Sequence, residues 1–409
     1  MKLNPSPNPR REAGLQLLEG FLPHAGASYA MGRNNVPGVV SGLSPYLRHR
    51  LVTEAEVVGA VLQRYSEAEA DKFIQEICWR TYWKGWLEMS PSVWSRYLEE
   101  LPTLRAQTET QGDGDSDFQA RLRSAEQGET GLDCLDDWVR ELRETGYLHN
   151  HVRMWFASIW IHTLRLPWQL GADFFMRHLL DGDPASNTLS WRWVCGLQTK
   201  GKVYLATSEN IELYTEGRYA PHGLLASEAP PATEEFTVSS PLELVRRDTH
   251  LPGEKTLLIV TEEDLTPESW GIPRSDLAGV VVVDTSEAYP GIAKLPAAFK
   301  REAMEGTVAR LESYSQRPVV LLAGDPGAMA GGLRLHLRES GAASLSMMHL
   351  PVGPARSLIE PVLSELVREG VTLRRLRRPW DDAFWPHATH GFFKLKERIP
   401  SVLKFLSSP

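Results

Sequence analysis

Two kinds of apolar pattern divide this chain, and the division limits its fold more than any other feature. Beyond residue 255, short runs alternate with amphipathic segments: TLLIV (256–260), GVVVVD (279–284), PVVLLA (318–323), ASLSMM (343–348) and VTLRRL (371–376). Helices are expected between them, around 294–314, 327–340 and 354–369. Continuous β-branched runs suit strands buried on both faces, and helical connections make such strands parallel. Residues 253–409 are thus predicted to form a doubly wound, five-stranded parallel sheet with a C-terminal segment beyond it. GDPGAMAGG (324–332) follows a strand but lacks the lysine and spacing of a phosphate-binding loop, so it reads as a strand–helix turn.

The pattern before residue 225 is different. EAEVVGAVLQRY, SEAEADKFIQEICWRTYWKGWLEM, CLDDWVRELRETG and HVRMWFASIWIHTLRL repeat apolar residues at helical spacing. Thr53, Ser66 and Ser116 are expected N-caps, each followed by acidic residues. The polar stretch 105–117 is expected to be a loop, and the Pro/Ser/Thr/Glu-rich stretch 226–252 a connector. The fold class is therefore a two-domain α plus α/β chain: helical over 1–225, a connector over 226–252, and α/β over 253–409.

A net charge of −8 argues against coating nucleic acid by bulk electrostatics. Apolar runs fall short of the ~20 residues a membrane helix needs, and no apolar segment follows the basic MKLNPSPNPRREAG start. A cytoplasmic monomer without a membrane partner is expected. Cys78, Cys134 and Cys195 have no metal-ligand spacing and sit in apolar stretches, as buried free thiols of a cytoplasmic protein do; no metal site is expected. Most of the 13 tryptophans fall between residues 79 and 193, a density suited to a helical domain built around a flat aromatic group.

Four motifs lie in that helical half: SGLSPYL (41–47), QEICWRTYW (75–83), TGYLHNHVRM (145–154) and DGDPASNTLSWRW (181–193). The last supplies carboxylates, a neutral amide and indoles within thirteen positions. In kind and order the four resemble the FAD-binding half of the photolyase/cryptochrome family, over roughly residues 25–220. That family places an α/β domain first. Here TEEDLTPES resembles its opening strand and turn, and HGFFKLKERIPSVLKFL its interdomain region. A circular permutation is the simplest reading; fusion of an unrelated α/β domain is the alternative.

The resemblance implies FAD, and assigns residues to it. Ser41, Gly42, Leu43 and Ser44 match the turn that holds the phosphates, with Tyr29 and Arg33 as the upstream Tyr-x3-Arg and Val40 where Thr is usual. Tyr147, Asn150 and Met154 share a helix face by spacing. Arg153 is expected to form a bidentate pair with Asp181, Arg80 to support the pocket, Asp183 to accept from flavin N–H groups, and Asn187 to face flavin N5. Trp191 and Trp168 match the inner electron-transfer tryptophans. The outermost one has no counterpart near 112–117; Trp155, Trp160 or a tyrosine are the candidates to replace it.

Glu76, Trp79, Met154 and Trp193 match the family's dimer-binding pocket, where two indoles sandwich a flipped pyrimidine pair, with Arg33 beside it. Arg80, Lys84, Arg192, Lys200 and Lys202 are expected phosphate contacts at the rim, and His151 stands where the family has Arg. The resemblance implies light-driven cleavage of cyclobutane pyrimidine dimers in UV-damaged DNA, with Glu76 and Asn187 assisting; the alternative is a cryptochrome-like photoreceptor or redox flavoprotein. An antenna chromophore has no motif of its own.

Overall fold

In the computed structural model, which describes residues 7–109, 116–199, 201–230, 232, 238 and 240–406, a complete capping box opens the helix that begins at Glu54. The Thr53 side chain accepts from Glu56 N–H while the Glu56 carboxylate accepts from Thr53 N–H at 2.8 Å, satisfying donors at both positions. The helical part comprises α1 (Arg11–Phe21), α2 (Ala27–Gly32), α3 (Ser44–Arg48), α4 (Glu54–Leu62), α5 (Asp71–Met89) and α6 (Ser92–Glu109). It continues with α7 (Ser116–Gln127), α8 (Asp133–Thr145), α9 (Asn150–Ser158), α10 (Trp168–His178), α11 (Pro184–Val194) and α12 (Ser208–Tyr214). A π-turn, Ile159–Thr163, prolongs α9.

Three local expectations are corrected. Ser66 and Glu69 exchange capping-box hydrogen bonds, but they close a separate turn and α5 begins only at Asp71. Residues 105–109 belong to α6, and 110–115 of the expected loop lie outside the described residues. Tyr147 precedes α9, whose N-cap is His149, so it does not share a helix face with Asn150 and Met154.

After the connector come β1 (Thr256–Val260), β2 (Leu277–Val283), α13 (Lys294–Ser315), β3 (Val319–Leu322), α14 (Pro326–Ser340), β4 (Ser344–Met348), α15 (Pro354–Arg368) and β5 (Thr372–Leu376). The strand pairings are parallel, in the order β3-β2-β1-β4-β5. The five strands and three helices fall where the apolar runs place them. Alternation divides the sheet's faces: Leu257, Ile259, Val281 and Val283 pack with α14 and α15, while Leu258, Val260, Val280 and Val282 join α13 and the core of the helical part. At 324–332 the expected turn is present, with Asp325 capping α14 through Ala328 N–H.

The chain ends in α16 (Pro379–Phe384), α17 (Phe392–Lys396) and α18 (Ile399–Leu406), with α16 and α17 packed along α5. Trp380 Nε1 donates to Thr81 Oγ1 at 2.9 Å. Within the connector, Asp248 accepts from Arg375 N–H and donates its own N–H to Arg375 C=O, occupying the edge of β5.

Charge joins the two parts. The turn after β1 carries Glu262, Glu263 and Asp264 into the helical part. Arg48 grips Glu263 with both terminal nitrogens at 2.8 and 2.7 Å and donates Nε to Gly182 C=O. Lys84 lies 3.6 Å from Glu263, and Lys300 3.1 Å from Glu262. Arg378 is bidentate to Asp264, and Arg50 reaches Asp264, Asp381 and Glu54. With Arg80 and Asp183, six basic side chains face six carboxyl groups in a largely buried network. The carboxyl end of the central strand, where open α/β sheets leave a crevice, is thereby filled. A void of only about 10 Å³, little more than one water, remains beside Lys84, Glu263 and Arg378.

Candidate cofactor site

Helix α11 is the centre of the site, packed against α5, α9 and α10. Asp183 is its N-cap, accepting from Ser186 N–H at 2.8 Å through one oxygen while the other faces Arg80 at 3.2 Å. Burial pushes the Asp183 carboxyl up, but Arg80, Lys84 and Arg48 outweigh it and hold it well below the usual carboxylate range. It is therefore an ionised anchor tied to the same network as Glu263.

Arg153 Nη2 meets Asp181 Oδ2 at 2.9 Å, and its Nε donates to Leu148 C=O. The expected pair forms, but through a single contact and not as a fork, because Nε is taken by the backbone. Asp181 Oδ1 is consequently buried with no hydrogen-bond partner among the described residues, as is Ser44 Oγ. At the 41–44 turn, Ser41 Oγ accepts from Leu43 N–H and Gly42 adopts φ 68°, a conformation that costs glycine nothing. Tyr29 is buried against Phe21 and Phe73, Asn150 is exposed, and Asn187 donates from Nδ2 to Ala172 C=O at 2.8 Å.

Trp191 is fully enclosed, edge-on to Phe175, Phe156 and Trp160 at centroid distances of 5.1, 6.4 and 6.3 Å. Gly171 makes this possible: a Cβ there would lie 2.2 Å from the indole. Trp168 stacks on Tyr97 of α6 at 5.8 Å, with the Arg192 guanidinium 5.8 Å from its ring. Tyr97 and Tyr289 hydroxyls are 2.9 Å apart, and Tyr289 donates to Asp173 at 2.7 Å. Neither tyrosine carries a local sequence signal. Only the fold brings them together, across 192 residues of chain.

On the other side of α5, Arg33 and Glu76 form an ion pair. Burial raises the Glu76 carboxyl despite Arg33. One face of Trp79 is covered by Phe392 of α17, stacked at 3.7 Å and 13°, and Trp193 stacks on Tyr204 at 5.6 Å. Met154 is half-buried on α9. His151 stacks on Trp155 and hydrogen-bonds Asn34 C=O through Nδ1. Of the expected rim cations, Lys84 and Arg192 are buried, at 4% and 2% exposure, and Arg80 is occupied by Asp183; Lys202 is exposed and Lys200 lies outside the described residues. Lys84 and Arg192 do not form a rim, because the first neutralises Glu263 and the second packs over Trp168. A separate cleft of about 590 Å³, lined by Asp133, Asp137 and Arg140 among others, contains none of these residues.

The anchored carboxylates Asp181 and Asp183, the unpartnered Asp181 Oδ1 and Ser44 Oγ, and the surrounding indoles are groups that a flat, phosphate-bearing aromatic cofactor would use. The family model for the FAD binding domain of DNA photolyase matches residues 73–220. A deoxyribodipyrimidine photo-lyase of Streptomyces griseus is 32% identical over 190 residues, 46% of this chain and 39% of its own length. One from Thermus thermophilus is 30% identical over 247 residues, 59% and 56% respectively. A bacterial class III photolyase structure from Agrobacterium tumefaciens superposes with a TM-score of 0.42 at 26% identity, over 50% of this chain and 42% of that one. The chain thus spans about two fifths to just over half of these curated relatives. Residues 73–220 thus match the FAD-binding domain of the photolyase family.

The residues present fit that cofactor. The open Asp181 Oδ1 would accept from a flavin N–H, and the unpartnered Ser44 hydroxyl would donate to a phosphate oxygen. Among the described residues no helix is long and apolar enough to cross a membrane. Cys78, Cys134 and Cys195 are buried and not disulfide-bonded, and Cys195 Sγ donates to Arg192 C=O.

Proposed function

We propose that this protein is a light-dependent flavoprotein of the photolyase type that splits cyclobutane pyrimidine dimers in UV-damaged DNA. The observation that carries the reading is the coincidence of the matched segment with a completed Arg153–Asp181 pair whose second carboxylate oxygen stands open. When bound, the flavin supplies light absorption and one-electron chemistry. The protein's part is to hold and orient. Ser41, Gly42, Leu43 and Ser44 hold the phosphates, with Tyr29, Arg80 and Asn150 bounding the pocket; Arg153 fixes Asp181, and Asp181 and Asp183 orient the ring. Asn187 carries an amide, neutral beside any negative charge on the ring, and Trp191 and Trp168 conduct electrons. Glu76, Trp79, Met154, Trp193 and Arg33 receive the lesion, with Glu76 hydrogen-bonding the base edges.

The domains in this reading are 1–225, 226–252 and 253–409, in circularly permuted order. The return of α16 and α17 along α5 supports it, because that segment then still bridges the two parts as an interdomain region. The protein is placed in the cytoplasm as a monomer. A second reading, a cryptochrome-like photoreceptor or redox flavoprotein without repair, is favoured by one observation: Phe392 already covers one face of Trp79. Blue-light illumination of the FAD-loaded, reduced protein with a thymine-dimer oligonucleotide separates the two. Restored thymines support repair. Photoreduction with intact dimers supports the second reading, and a protein that takes up no flavin overturns both.

A further inference from the structure

Behind Trp168 the fold assembles a chain of groups ending in a carboxylate, and the second domain supplies one of its members. We propose that Tyr97, Tyr289 and Asp173 form the outer end of an electron and proton relay leading from Trp168 in this protein. The inference rests on the flavoprotein reading above and deepens it, choosing the terminal donor for which the sequence left Trp155, Trp160 or a tyrosine as candidates.

The geometry selects Tyr97 over its neighbours. Its ring stacks on Trp168 at 5.8 Å and 26°. Asp173, an acceptor only, takes the Tyr289 proton, so the Tyr97 hydroxyl must donate to the Tyr289 oxygen. Oxidised phenols are strongly acidic, so a phenol becomes a good donor only where its proton has somewhere to go. Trp94, 5.2 Å from Tyr97, has a buried indole N–H with no hydrogen-bond partner among the described residues. Trp160 donates to the Pro167 carbonyl and Trp155 to the Asn210 amide, neither of them a base. Of these aromatic side chains, Tyr97 alone combines contact with Trp168 and a hydrogen-bonded path to a carboxylate. Arg105 and Arg177 hold Asp173 at 2.5 and 2.9 Å and fix it in place.

The step balances. With an oxidised flavin bound, illumination would supply the oxidant, and passage of one electron through Trp191 would leave a radical cation at Trp168. Trp168 then takes one electron from Tyr97. The Tyr97 proton passes to the Tyr289 oxygen, and the Tyr289 proton passes to Asp173. One positive and one negative charge are consumed, leaving neutral Trp168, a neutral Tyr97 phenoxyl radical and protonated Asp173. A thiol reductant later returns the electron, and Asp173 returns the proton. Recombination is slowed because it requires both particles to move back.

Flash photolysis of the FAD-loaded protein and pulse radiolysis of the flavin-free protein with azide radicals test the relay independently. In both, wild type should convert tryptophan radical into tyrosyl radical, and Tyr97→Phe should abolish that conversion. Tyr289→Phe, which keeps the ring packing, should slow it by about a hundredfold, the scale of a lost proton acceptor, and abolish its slowing in deuterated water. Asp173→Asn should act like Tyr289→Phe. A persistent tryptophan radical in wild type, or unchanged kinetics in Tyr97→Phe, overturns the relay. Failure to bind flavin refutes the functional reading instead, and the radiolysis arm still judges the tyrosines.

Discussion

Glu263→Ala asks whether charge holds the two domains in register. In the native protein Glu263 accepts two hydrogen bonds from Arg48 at 2.8 and 2.7 Å and lies 3.6 Å from Lys84, all three side chains being at most 5% exposed. Truncation leaves two buried cations without their nearest carboxylate, and breaking such a pair from one side costs about 3–5 kcal/mol. Arg48 retains Gly182 C=O and a distant Asp183 at 3.9 Å, so the lower end, about 3 kcal/mol, is expected. Replacing both partners, Arg48→Met with Glu263→Met, removes the stranded charge and should recover about 2 kcal/mol relative to the sum of the single changes. Guanidinium unfolding followed by circular dichroism and tryptophan fluorescence reads each energy. Single-change losses that add to within about 0.5 kcal/mol would refute the argument and leave apolar packing as the link. The pH dependence has a definite sign. Burial raises the Glu263 carboxyl, but Arg48 and Lys84 outweigh it and hold it below its ordinary value of 4.5. Its stabilisation is therefore complete above that value and is lost as pH falls through the depressed one.

Three further outcomes follow from the site. Asp181→Ala leaves Arg153 without its carboxylate and should weaken flavin retention by about tenfold or more in equilibrium dialysis, whereas equal retention would refute the pocket assignment. Gly171→Ala places a methyl group 2.2 Å from the Trp191 ring, so it should cost about 1–3 kcal/mol and change the near-ultraviolet circular dichroism; wild-type stability would show that the indole yields freely. Burial, reinforced by nearby positive charge, lowers both His149 and His178 to about 4 from an ordinary 6.5. Because the unfolded chain binds those protons first, stability should decline as pH falls from about 6.5 toward 4, and His149→Gln should flatten that slope in an unfolding titration.

The parallel sheet was legible because its information is local: each strand is a short apolar run bounded by turn residues, and each amphipathic helix lies between two of them. Thr53 was legible for the same reason, its box being complete within three residues. Ser66 carries the same local chemistry, yet α5 starts later, because a capping box satisfies a turn as readily as a helix. The Arg153–Asp181 pair was readable from resemblance, but its single-contact geometry was not, since Leu148 C=O competes for Nε only once the loop before α9 is folded. Lys84 and Arg192 looked like rim cations because sequence reports charge and not its surroundings. Lys84's partner, Glu263, is 179 residues away, and Tyr97 and Tyr289 are likewise joined only by the packing of α6 against the loop after β2.

The order of the two domains gives the buried ion network a history during synthesis. The helical half leaves the ribosome first, carrying Arg48, Arg50 and Lys84, while the carboxylates at 262–264 follow about ten seconds or more later at ordinary elongation rates. Until then these cations have Glu54 and Asp183 but not Glu263 or Asp264, and they keep their hydration. The nascent helical half therefore lacks the carboxylates that face Arg48 and Arg50 beside Gly182 in the folded protein. Arrival of the second domain's first strand and the turn after it supplies those carboxylates and expels that water, so completion of the ion network is timed by translation of the second domain.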